Sequence, residues 1–423
     1  MARRVVITGL GILAPNGHGL RDFEEALRAG RSGIRFYEKL RELKFACQVG
    51  GVPQNVEAIK ERYFDEEARF SMKSNVVAFG AITAVDCWKD AGLELPDPND
   101  EADFETGAIV GTGVGGNDLM CGYAAPTIDA GRARRMGSTI VEQVMCSAVS
   151  ARIGGLLGLG GQVTTNSSAC TTGTEAVIQA YWHIQAGRAE RMLAGGAEAD
   201  SHYTWGSFDA MRVLSAKFND EPERASRPMS ASAAGFVPGS GAGMLMLESL
   251  ESAQRRGARI YAEILGGQVN CGGQRGGGSM TAPNPAGVQR CIQEALRAAE
   301  VDGREVDLIN GHLTATIADP REIASWTAAL QTTPDTFPWI NSTKSMVGHA
   351  LGAAGGIECV ASVLQLHRGF VHPSLNCEDL HPDLEAYRER IPRSAIDFDA
   401  RILAKASFGF GDVNGCAIFR KWD

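Results

Sequence analysis

The sequence predicts an α/β fold, and three observations carry this prediction. Strand-like apolar runs alternate with segments of helical period along the chain. The 51 glycines among the 423 residues cluster at the ends of the strand-like runs, as they do where turns are tight and backbones approach closely. The order of elements then restarts near residues 256–270. We therefore expect a largely parallel sheet and two similar units, 1–255 and 256–423.

Each element of the first unit is predicted from its period and its end signals. Residues 4–11 form an apolar run broken by glycines, which indicates a buried strand. Residues 20–31 have helical spacing and a glycine near their end, which is a common helix stop. By the same criteria, the other predicted elements of this unit are helices at 76–92 and 178–187 and strands at 107–116 and 191–199.

The second unit repeats this pattern. A strand ending in glycines is predicted at 258–270, an amphipathic helix at 285–299 and a short apolar strand at 306–309. Between the units lies a polar, proline-containing loop at 217–228, which is either a solvated surface connection or a functional rim.

Composition and charge exclude several classes of protein. Hydrophobic residues make up 44% and charged residues 22%, as in folded globular chains, and the formal net charge of -9 argues against a nucleic-acid partner. No apolar run reaches the roughly 20 residues that a membrane helix needs, and no export signal is visible. The ten cysteines include no C-x-x-C pair, so we predict reduced thiols, no metal centre and a cytoplasmic location.

Cys170 is the best candidate nucleophile in the chain. It follows a β-rich stretch and precedes an apolar run of helical period, in the order QVTTNSSACTTGTEAVIQAYWHI. This order predicts a thiol at the N-terminus of a helix. There the macrodipole and the unpaired backbone N–H groups favour a thiolate and can receive an oxyanion.

Two histidines stand in similar settings. His312 follows the predicted strand at 306–309, and His349 lies between a strand-like segment at 337–340 and a run of glycine and alanine that is typical of a closely packed helix. One cysteine and two histidines at strand ends form a candidate catalytic set. The other six histidines are interpreted as structural.

Four runs of the sequence carry motifs whose order and spacing are specific in combination: SACTTG at 168–173, HLTAT at 312–316, KSMVGHALGAAG at 344–355 and SFGFGDVNG at 407–415. Together they resemble the β-ketoacyl-acyl-carrier-protein synthases, which are condensing enzymes of the thiolase superfamily. The resemblance spans nearly the whole chain. It implies a thiolase-like fold in which two similar βαβαβαβ halves form five layers, α-β-α-β-α, with Cys170 in the first half and both histidines in the second.

The resemblance also implies an activity. Cys170 would accept an acyl group from an acyl thioester. The N–H groups of His312 and His349 would then stabilise the enolate that forms when a malonyl group on an acyl carrier protein loses carbon dioxide. The enolate would attack the acyl group in a Claisen condensation. No metal or cofactor is required.

Four further residues receive roles from the same resemblance. The backbone N–H groups of Phe410 and of the nucleophile would form an oxyanion hole, and the Phe410 side chain would act as a gate over the acyl pocket. Phe408 is a core or gate aromatic. Lys344, with Glu358 as its carboxylate partner, either acts in catalysis or forms a buried ion pair that orients the histidine loop.

Three departures from the family pattern concern the surroundings of the thiol. Leu313 stands where the family usually has glycine, Asp412 replaces a glycine in the last motif, and the segment 230–237 lacks a charged pair that is common there. The nucleophile and both histidines are retained. We therefore expect an intact reaction with an altered acyl pocket or gate, in fatty acid synthesis or in a specialised lipid, aryl-polyene or polyketide pathway.

Three alternatives stay open. In the first, the chain is a chain-length-factor-like partner subunit of a ketosynthase heterodimer, although such subunits typically lack the cysteine. In the second, it is a thiolase, which needs a second cysteine as base, and Cys416 is the candidate for that base. In the third, it is a docking scaffold without turnover, which needs a basic rim for an acidic carrier protein. The rim candidates are Arg62, Arg69, Lys73, Lys217, Arg224 and Arg227. We expect a homodimer, with a heterodimer of paralogues as the other possibility.

Overall fold

A computed structural model describes residues 3–423 of the chain. In this part of the chain the strands are β1 (Val5–Ala14), β2 (Gly17–His18), β3 (Ile34–Phe36), β4 (Val49–Gly51), β5 (Thr106–Gly111), β6 (Val163–Thr164), β7 (Arg191–Glu198), β8 (Gly241–Ser249), β9 (Ala262–Cys271), β10 (Leu308–Asn310), β11 (Trp339–Asn341), β12 (Phe370–Val371), β13 (Ile396–Asp397), β14 (Ile402–Gly409) and β15 (Val413–Lys421). The α-helices are α1 (Leu20–Ala29), α2 (Glu38–Glu42), α3 (Val56–Tyr63), α4 (Glu66–Phe70), α5 (Asn75–Asp90), α6 (Asn117–Leu119), α7 (Ala125–Asp129), α8 (Ile140–Val144), α9 (Ala148–Leu156), α10 (Thr172–Gln185), α11 (His202–Ala210), α12 (Leu250–Arg255), α13 (Pro285–Ala299), α14 (Asp319–Leu330), α15 (Lys344–Val347) and α16 (Ala354–Arg368).

The main sheet repeats one topology twice. Its strands lie in the order β6-β5-β7-β8-β1 and then β9-β15-β14-β10-β11, and the small strand β2 pairs with β1. We number the five strands of each half along the chain, leaving out β2, and read each half outward from the junction of β1 and β9. Both halves then have the order 1-5-4-2-3. The two halves meet where β1 pairs antiparallel with β9, with Val5 opposite Ile264. The repeat expected from the element order is therefore present in the strand order.

The sheet is mixed, whereas the strand and helix alternation predicted a largely parallel one. The pairs β5-β6, β5-β7, β10-β11 and β10-β14 are parallel. The pairs β7-β8, β14-β15, β1-β8 and β9-β15 are antiparallel. In the second half the reason lies in the connection, because only residues 410–412 separate β14 from β15. Such a short turn joins antiparallel neighbours, while a parallel pair needs a long crossover.

Two helices fill the centre of the fold. Helices α10 and α16 pack against each other and contact strands of both halves, α5 covers the other face of β1, β7 and β8, and α13 covers β9 and β15. The result is the five-layered α-β-α-β-α arrangement that the resemblance implied. The central helices approach so closely that a Cβ at Gly173 would stand 2.4 Å from the backbone nitrogen of Gly356. Glycine is required there because any side chain would force the helices apart.

Burial follows from this layering. Residues 354–366 of α16 are all buried, which is the pattern of a helix enclosed on every side. Helix α13 is amphipathic and buries Val288, Ile292 and Leu296 against its half of the sheet. Among the residues that the structure describes, no helix is long and apolar enough to cross a membrane.

Candidate active site

Cys170 lies at the start of the central helix α10, as predicted. It is the middle residue of a 3-10 turn, Ala169–Thr171, and Ala169 has a left-handed φ of 51°. The hydroxyl of Thr172 donates to the Ala169 carbonyl at 2.7 Å, and the hydroxyl of Thr171 donates to the carbonyl of Val413 on β15 at 2.9 Å. These bonds fix the turn on the second half of the sheet. The thiol is 9% exposed and lines a cavity.

His312 follows β10, and two buried carboxylates hold its loop. Glu322 accepts the backbone N–H groups of His312 at 2.7 Å and Leu313 at 2.8 Å, while Asp319 accepts that of Ala315 at 3.1 Å. The φ angles of Leu313 and Ala315 are 22° and 62°. Residues other than glycine rarely adopt such angles, so the carboxylates stabilise a strained backbone.

The local structure before His349 differs from the strand end that the sequence predicted. It does not follow a strand directly, because the one-turn helix α15 and Gly348, with a φ of 72°, lie between it and β11. Its backbone N–H donates to the carbonyl of Val237 at 2.7 Å, and its carbonyl accepts the N–H of Gly239 at 2.9 Å. The segment 237–239 therefore fixes the position of this histidine.

The structure brings Cys170, His312 and His349 together. The cysteine sulfur and one ring nitrogen of each histidine all lie within 4.8 Å of one another. The Nδ1 atom of His349 accepts the backbone N–H of Leu351 at 3.2 Å, and Nδ1 of His312 lies 3.4 Å from the ammonium of Lys344. A neutral ring whose Nδ1 accepts a hydrogen bond carries its proton on Nε2. We therefore assign both histidines as Nε2–H donors.

Burial sets the protonation of all three groups. Burial, followed by the charge of Lys344, lowers the pKa of His312 and of His349 well below the usual value, so both rings are neutral at pH 7. Burial raises the pKa of Cys170 to about 11, although the Lys344 charge and a hydrogen bond from the Phe410 backbone N–H oppose the rise. The thiolate expected from the helix terminus is therefore wrong for the resting site. A helix terminus contributes about 1 kcal/mol, whereas full burial shifts a pKa by as much as 3 to 5 units.

Within residues 3–423, the same three side chains are the one set of cysteine, histidine or carboxylate groups close enough to share a metal ion. A metal would need a thiolate and an unprotonated ring nitrogen from each histidine. As assigned, the sulfur and both Nε2 atoms hold protons. The set is therefore arranged for hydrogen-bond donation.

An ion cluster lies directly behind the histidines. The Lys344 ammonium donates to the carbonyl oxygen of His312 at 2.7 Å and is hydrogen-bonded to Glu358. The other oxygen of Glu358 forms an ion pair with Lys405 at 2.8 Å. Lys344 and Glu358 are each 1% exposed and Lys405 is 0% exposed. Burial lowers the pKa of Lys344, and Glu358 opposes this shift.

Lys405 was missed by sequence reasoning, although a signal was present. It interrupts the apolar run ILAKASF, which forms the buried strand β14. A lysine inside a buried strand is rare unless it is paired. The partner, Glu358, comes from α16, which the sequence does not connect to this strand.

The turn at 408–412 closes the site from the second half of the chain. Phe408 is buried, with its ring centroid 6.1 Å from that of His312, and the Phe410 ring lies 6.0 Å from that of Phe208. A Cβ at Gly409 would stand 3.1 Å from the backbone nitrogen of Cys170. Glycine is needed at this position because the turn approaches the nucleophile so closely.

The cavity in front of the thiol has a volume of about 460 Å³. Its lining combines aromatic and aliphatic side chains with hydroxyl and carboxylate groups of the His312 loop and α14. Its lining outside the catalytic set comprises Phe208, Met211, Val213, Phe236, residues 281–283, Pro285, Val288, Thr314, residues 316–319, Arg321, Glu322, Ser325 and residues 408–410.

The departures at Leu313 and Asp412 have different consequences. Leu313 is fully buried in the core and does not line the cavity. Asp412 has a φ of 64°, and its carboxylate accepts the backbone N–H groups of Gln274 at 2.9 Å and Asn284 at 2.7 Å. Asp412 thereby ties the glycine-rich loop 272–284, which supplies cavity wall, to the turn that carries Phe410. At the third departure, Ser230 donates a hydrogen bond to Asp379.

Two other residues singled out from the sequence lie away from the cavity. Cys416 is fully buried in β15, where burial raises the pKa of its thiol to about 12. Arg227 is buried and pairs with Glu378 at 3.0 Å and Asp379 at 2.9 Å, so it does not belong to an exposed rim. These placements weaken the thiolase alternative and remove one rim candidate.

The remaining basic candidates lie near the surface but do not line the cavity. Arg69 is half-buried and pairs with Glu61 at 3.1 Å, and the Lys73 ammonium lies 4.0 Å from the centroid of an aromatic ring. Arg62, Lys73, Lys217 and Arg224 are exposed. Arg321, which sequence reasoning did not select, is exposed at the cavity itself.

Comparison with known proteins identifies the family. The model of the N-terminal domain of β-ketoacyl synthases matches residues 2–253, and that of the C-terminal domain matches residues 261–378. The chain belongs to the β-ketoacyl synthase family. The predicted family, thiolase-like fold and condensing-enzyme class are thereby confirmed.

Individual members of the β-ketoacyl synthase family match along their full length. The chain is 35% identical to 3-oxoacyl-[acyl-carrier-protein] synthase 1 of Escherichia coli strain K12 over 422 residues, which cover 99% of each chain. Among solved structures, the ishigamide ketosynthase/chain length factor superposes with a TM-score of 0.89 at 29% identity, with both chains fully covered. A type II polyketide ketosynthase in complex with its acyl-carrier protein and bound to the hexaketide superposes with a TM-score of 0.87 at 28% identity, again with full coverage.

Proposed function

We propose that this protein is a β-ketoacyl-acyl-carrier-protein synthase in which Cys170 carries the acyl chain and His312 and His349 drive decarboxylation of malonyl-acyl-carrier protein. The observation that carries the proposal is the convergence of the Cys170 sulfur and one ring nitrogen of each histidine within 4.8 Å, in the lining of one cavity. Each ring nitrogen assigned as a donor holds the proton that donation requires, and the Cys170 thiol gives up its proton during attack.

In the first half-reaction, the Cys170 sulfur attacks the carbonyl of an acyl thioester. The new S–C bond forms, the bond to the carrier sulfur breaks, and the proton lost by the thiol is balanced by the proton that the departing carrier thiol gains. The backbone N–H of Phe410 hydrogen-bonds the sulfur, and the Cys170 nitrogen lies beside Gly409. These two N–H groups are placed to receive the oxyanion of the tetrahedral intermediate, where a single donor is worth about 3 kcal/mol.

In the second half-reaction, the malonyl thioester loses carbon dioxide, and the electron pair of the broken C–C bond forms an enolate. His312 and His349 donate from Nε2 to the enolate oxygen, which a neutral imidazole does without giving up its proton. The enolate carbon then attacks the acyl carbonyl and expels the Cys170 thiolate. One proton from solvent restores the thiol and balances the reaction.

Lys344 acts by positioning in this proposal. Its ammonium contacts the carbonyl and Nδ1 of His312, so it fixes the ring and its tautomer. Glu358 in turn holds Lys344. Phe408 forms part of the cavity wall beside His312. Phe410, whose ring lies next to that of Phe208, acts as the gate over the acyl pocket.

We also propose an acyl carrier protein as the partner that delivers both substrates. The structural relative with its acyl-carrier protein supports this proposal. Carrier proteins are acidic, and the arginines and lysines that remain as rim candidates lie near the surface, where they can contact such a partner. The proposed rim comprises Arg62, Arg69, Lys73 and Lys217, to which Arg321 is added for its position at the cavity.

A homodimer is proposed as the working assembly. The edge strand β6 directly precedes the nucleophile segment, and large apolar side chains are exposed in the neighbouring segment, namely Val114, Met120, Tyr123, Ile128, Val141 and Met145. Exposed apolar groups concentrated in one segment are typical of an interface. A heterodimer with a chain-length factor is the second candidate, supported by the ishigamide relative.

The remaining proposals concern organisation and location. We propose units at 1–255 and 256–423, supported by the repeated strand order. A cytoplasmic location is proposed because all ten cysteines, each within residues 3–423, are free thiols. The pathway is fatty acid synthesis or a specialised lipid, aryl-polyene or polyketide pathway.

One assay tests the proposed function. The protein is incubated with acyl-carrier thioester and malonyl-carrier thioester, and mass spectrometry follows both the β-ketoacyl product and the acyl adduct on Cys170. We expect the adduct first and the product only when the malonyl donor is added. Full condensation by a Cys170→Ala variant would show that the nucleophile is wrong. Product formation only after mixing with a paralogous ketosynthase would favour the partner-subunit alternative.

A further inference from the structure

Lys405 is a buried cation to which the reaction described above assigns no role. Its ammonium is fully buried on β14 and has three partners: the carbonyl of Ala406, the hydroxyl of Ser407 at 2.9 Å and a carboxylate oxygen of Glu358 at 2.8 Å. The first two of these partners accept hydrogen bonds from the ammonium, and the third forms an ion pair with it. Two oxygen acceptors and a carboxylate thus surround the ammonium inside the protein.

The cluster that contains Lys405 has more positive than negative charge. Lys344 and Lys405 share the single carboxylate of Glu358, one on each oxygen. A buried charge without its own partner costs several kcal/mol. Stability alone therefore does not explain why a second ammonium is buried beside this carboxylate. Burial raises the pKa of Glu322, a further carboxyl whose charge acts on Lys344, to about 7, and its oxygens accept backbone N–H groups of the His312 loop.

Lys405 is linked to both sides of the catalytic centre. Through Glu358 it fixes Lys344, which contacts His312. Through the Ser407 hydroxyl it reaches Thr174 on α10, the helix that starts at the nucleophile turn, because the two hydroxyl oxygens are 2.9 Å apart. The charge of Lys405 also contributes to the lowered pKa of both catalytic histidines.

We infer that Lys405 is a positioning residue of the condensation reaction: it supplies a fixed internal cation that balances Glu358, holds Lys344 against His312 and stabilises the anionic enolate and tetrahedral intermediates from behind. This inference rests on the proposed function. In a site that excludes water, a fixed charge stabilises developing negative charge without any reorganisation.

The test compares variants that keep or remove the charge. Lys405→Met keeps most of the volume but loses the ammonium, while Lys405→Arg keeps a charge. We expect Lys405→Met to lower kcat for condensation roughly 10- to 100-fold, less than the loss of a direct oxyanion donor, with KM for the carrier thioester nearly unchanged. Lys405→Arg should retain more activity than Lys405→Met. The matched control is Lys60→Met, because Lys60 is also buried and paired, with Glu57 and Asn75 at 2.9 Å, but lies on α3.

Chemical rescue separates charge from packing. Methylammonium added to Lys405→Ala should restore kcat several-fold, tetramethylammonium should not, and neither should affect the wild type or Lys60→Ala. Melting temperatures confirm that the variants are folded. Wild-type kcat in folded Lys405→Met, or equal losses in Lys405→Met and Lys405→Arg with no response of Lys405→Ala to methylammonium, would overturn the inference. Failure of the wild type to condense would overturn the proposed function instead.

Discussion

The proposed catalytic centre has two layers that differ in charge. The front layer, Cys170, His312 and His349, faces the cavity and is neutral, because burial raises the pKa of the thiol and lowers that of the two rings. The back layer, Lys344, Glu358 and Lys405, lies out of contact with the cavity and is ionic. Both layers are buried, and the ionic layer is the more deeply buried of the two, so burial alone does not decide which groups stay charged.

The difference shows how partners decide the outcome of burial. Each ion of the back layer has a counter-ion within hydrogen-bond distance. In the part of the chain that the structure describes, no group of the front layer is paired with a carboxylate, and the charge next to His312 is the ammonium of Lys344. A buried charge persists where it is paired and is otherwise lost. The front layer can therefore donate hydrogen bonds to substrate anions, and the back layer supplies the field in which those anions form.

The largest effect is expected from a change in the front layer that separates its two functions. Cys170→Gln should reduce condensation at least about 10³-fold, because no acyl enzyme forms, while it retains release of carbon dioxide from malonyl-acyl-carrier protein by the histidines. Product and carbon dioxide are measured in parallel. Cys146→Ser, at an exposed cysteine, serves as control. Parallel loss of both reactions would mean that thiol and histidines do not act separately.

Removing one donor from the front layer should have the next largest effect. In the Cys170→Gln background, His312→Ala or His349→Ala should lower carbon dioxide release about 10²- to 10³-fold, since each removes one N–H donor to the enolate. His183→Ala, on the far end of α10, is the matched control. If either catalytic-site variant matched this control, the enolate would not lie between the two rings.

A change in the back layer should lower the stability of the protein. Glu358→Gln leaves two buried ammonium groups without a carboxylate, which should cost about 3 to 5 kcal/mol and lower the melting temperature in calorimetry. Glu385→Gln breaks an exposed pair with Arg388 and should change it little, because water screens that pair. Equal melting temperatures for the two variants would show that the back layer is not ionic.

The protonation of the thiol should change its reactivity only in steps of pH, without any change in the residues of either layer. Since the pKa of Cys170 is raised to about 11, the thiolate fraction increases with every step in pH below that value. Alkylation by iodoacetamide should therefore rise by about tenfold per pH unit from pH 7 to pH 10. The adduct is followed by mass spectrometry, and free N-acetylcysteine, with a pKa near 8.5, should level off earlier. A plateau below pH 8 would place a thiolate in the front layer.

Much of the site could be predicted from the sequence because its signals are local. Cys170 precedes a helical run and His312 follows a strand, and these settings depend only on nearby residues. The restart of the pattern near residues 256–270 corresponds to the repeated strand order. The mixed character of the sheet was not predicted, since apolar runs do not give strand direction. Lys405 was missed because its partner belongs to another helix.

The sequence by itself determined the family, the nucleophile candidate and the two histidines, because each is encoded by a short motif in fixed order. Tertiary structure alone decided the charge of these groups. The thiol expected to be a thiolate at a helix start is protonated, because desolvation by side chains from both halves exceeds the effect of the helix terminus. Desolvation sums over contacts that are distant in the chain, and only the packed fold brings those contacts to Cys170.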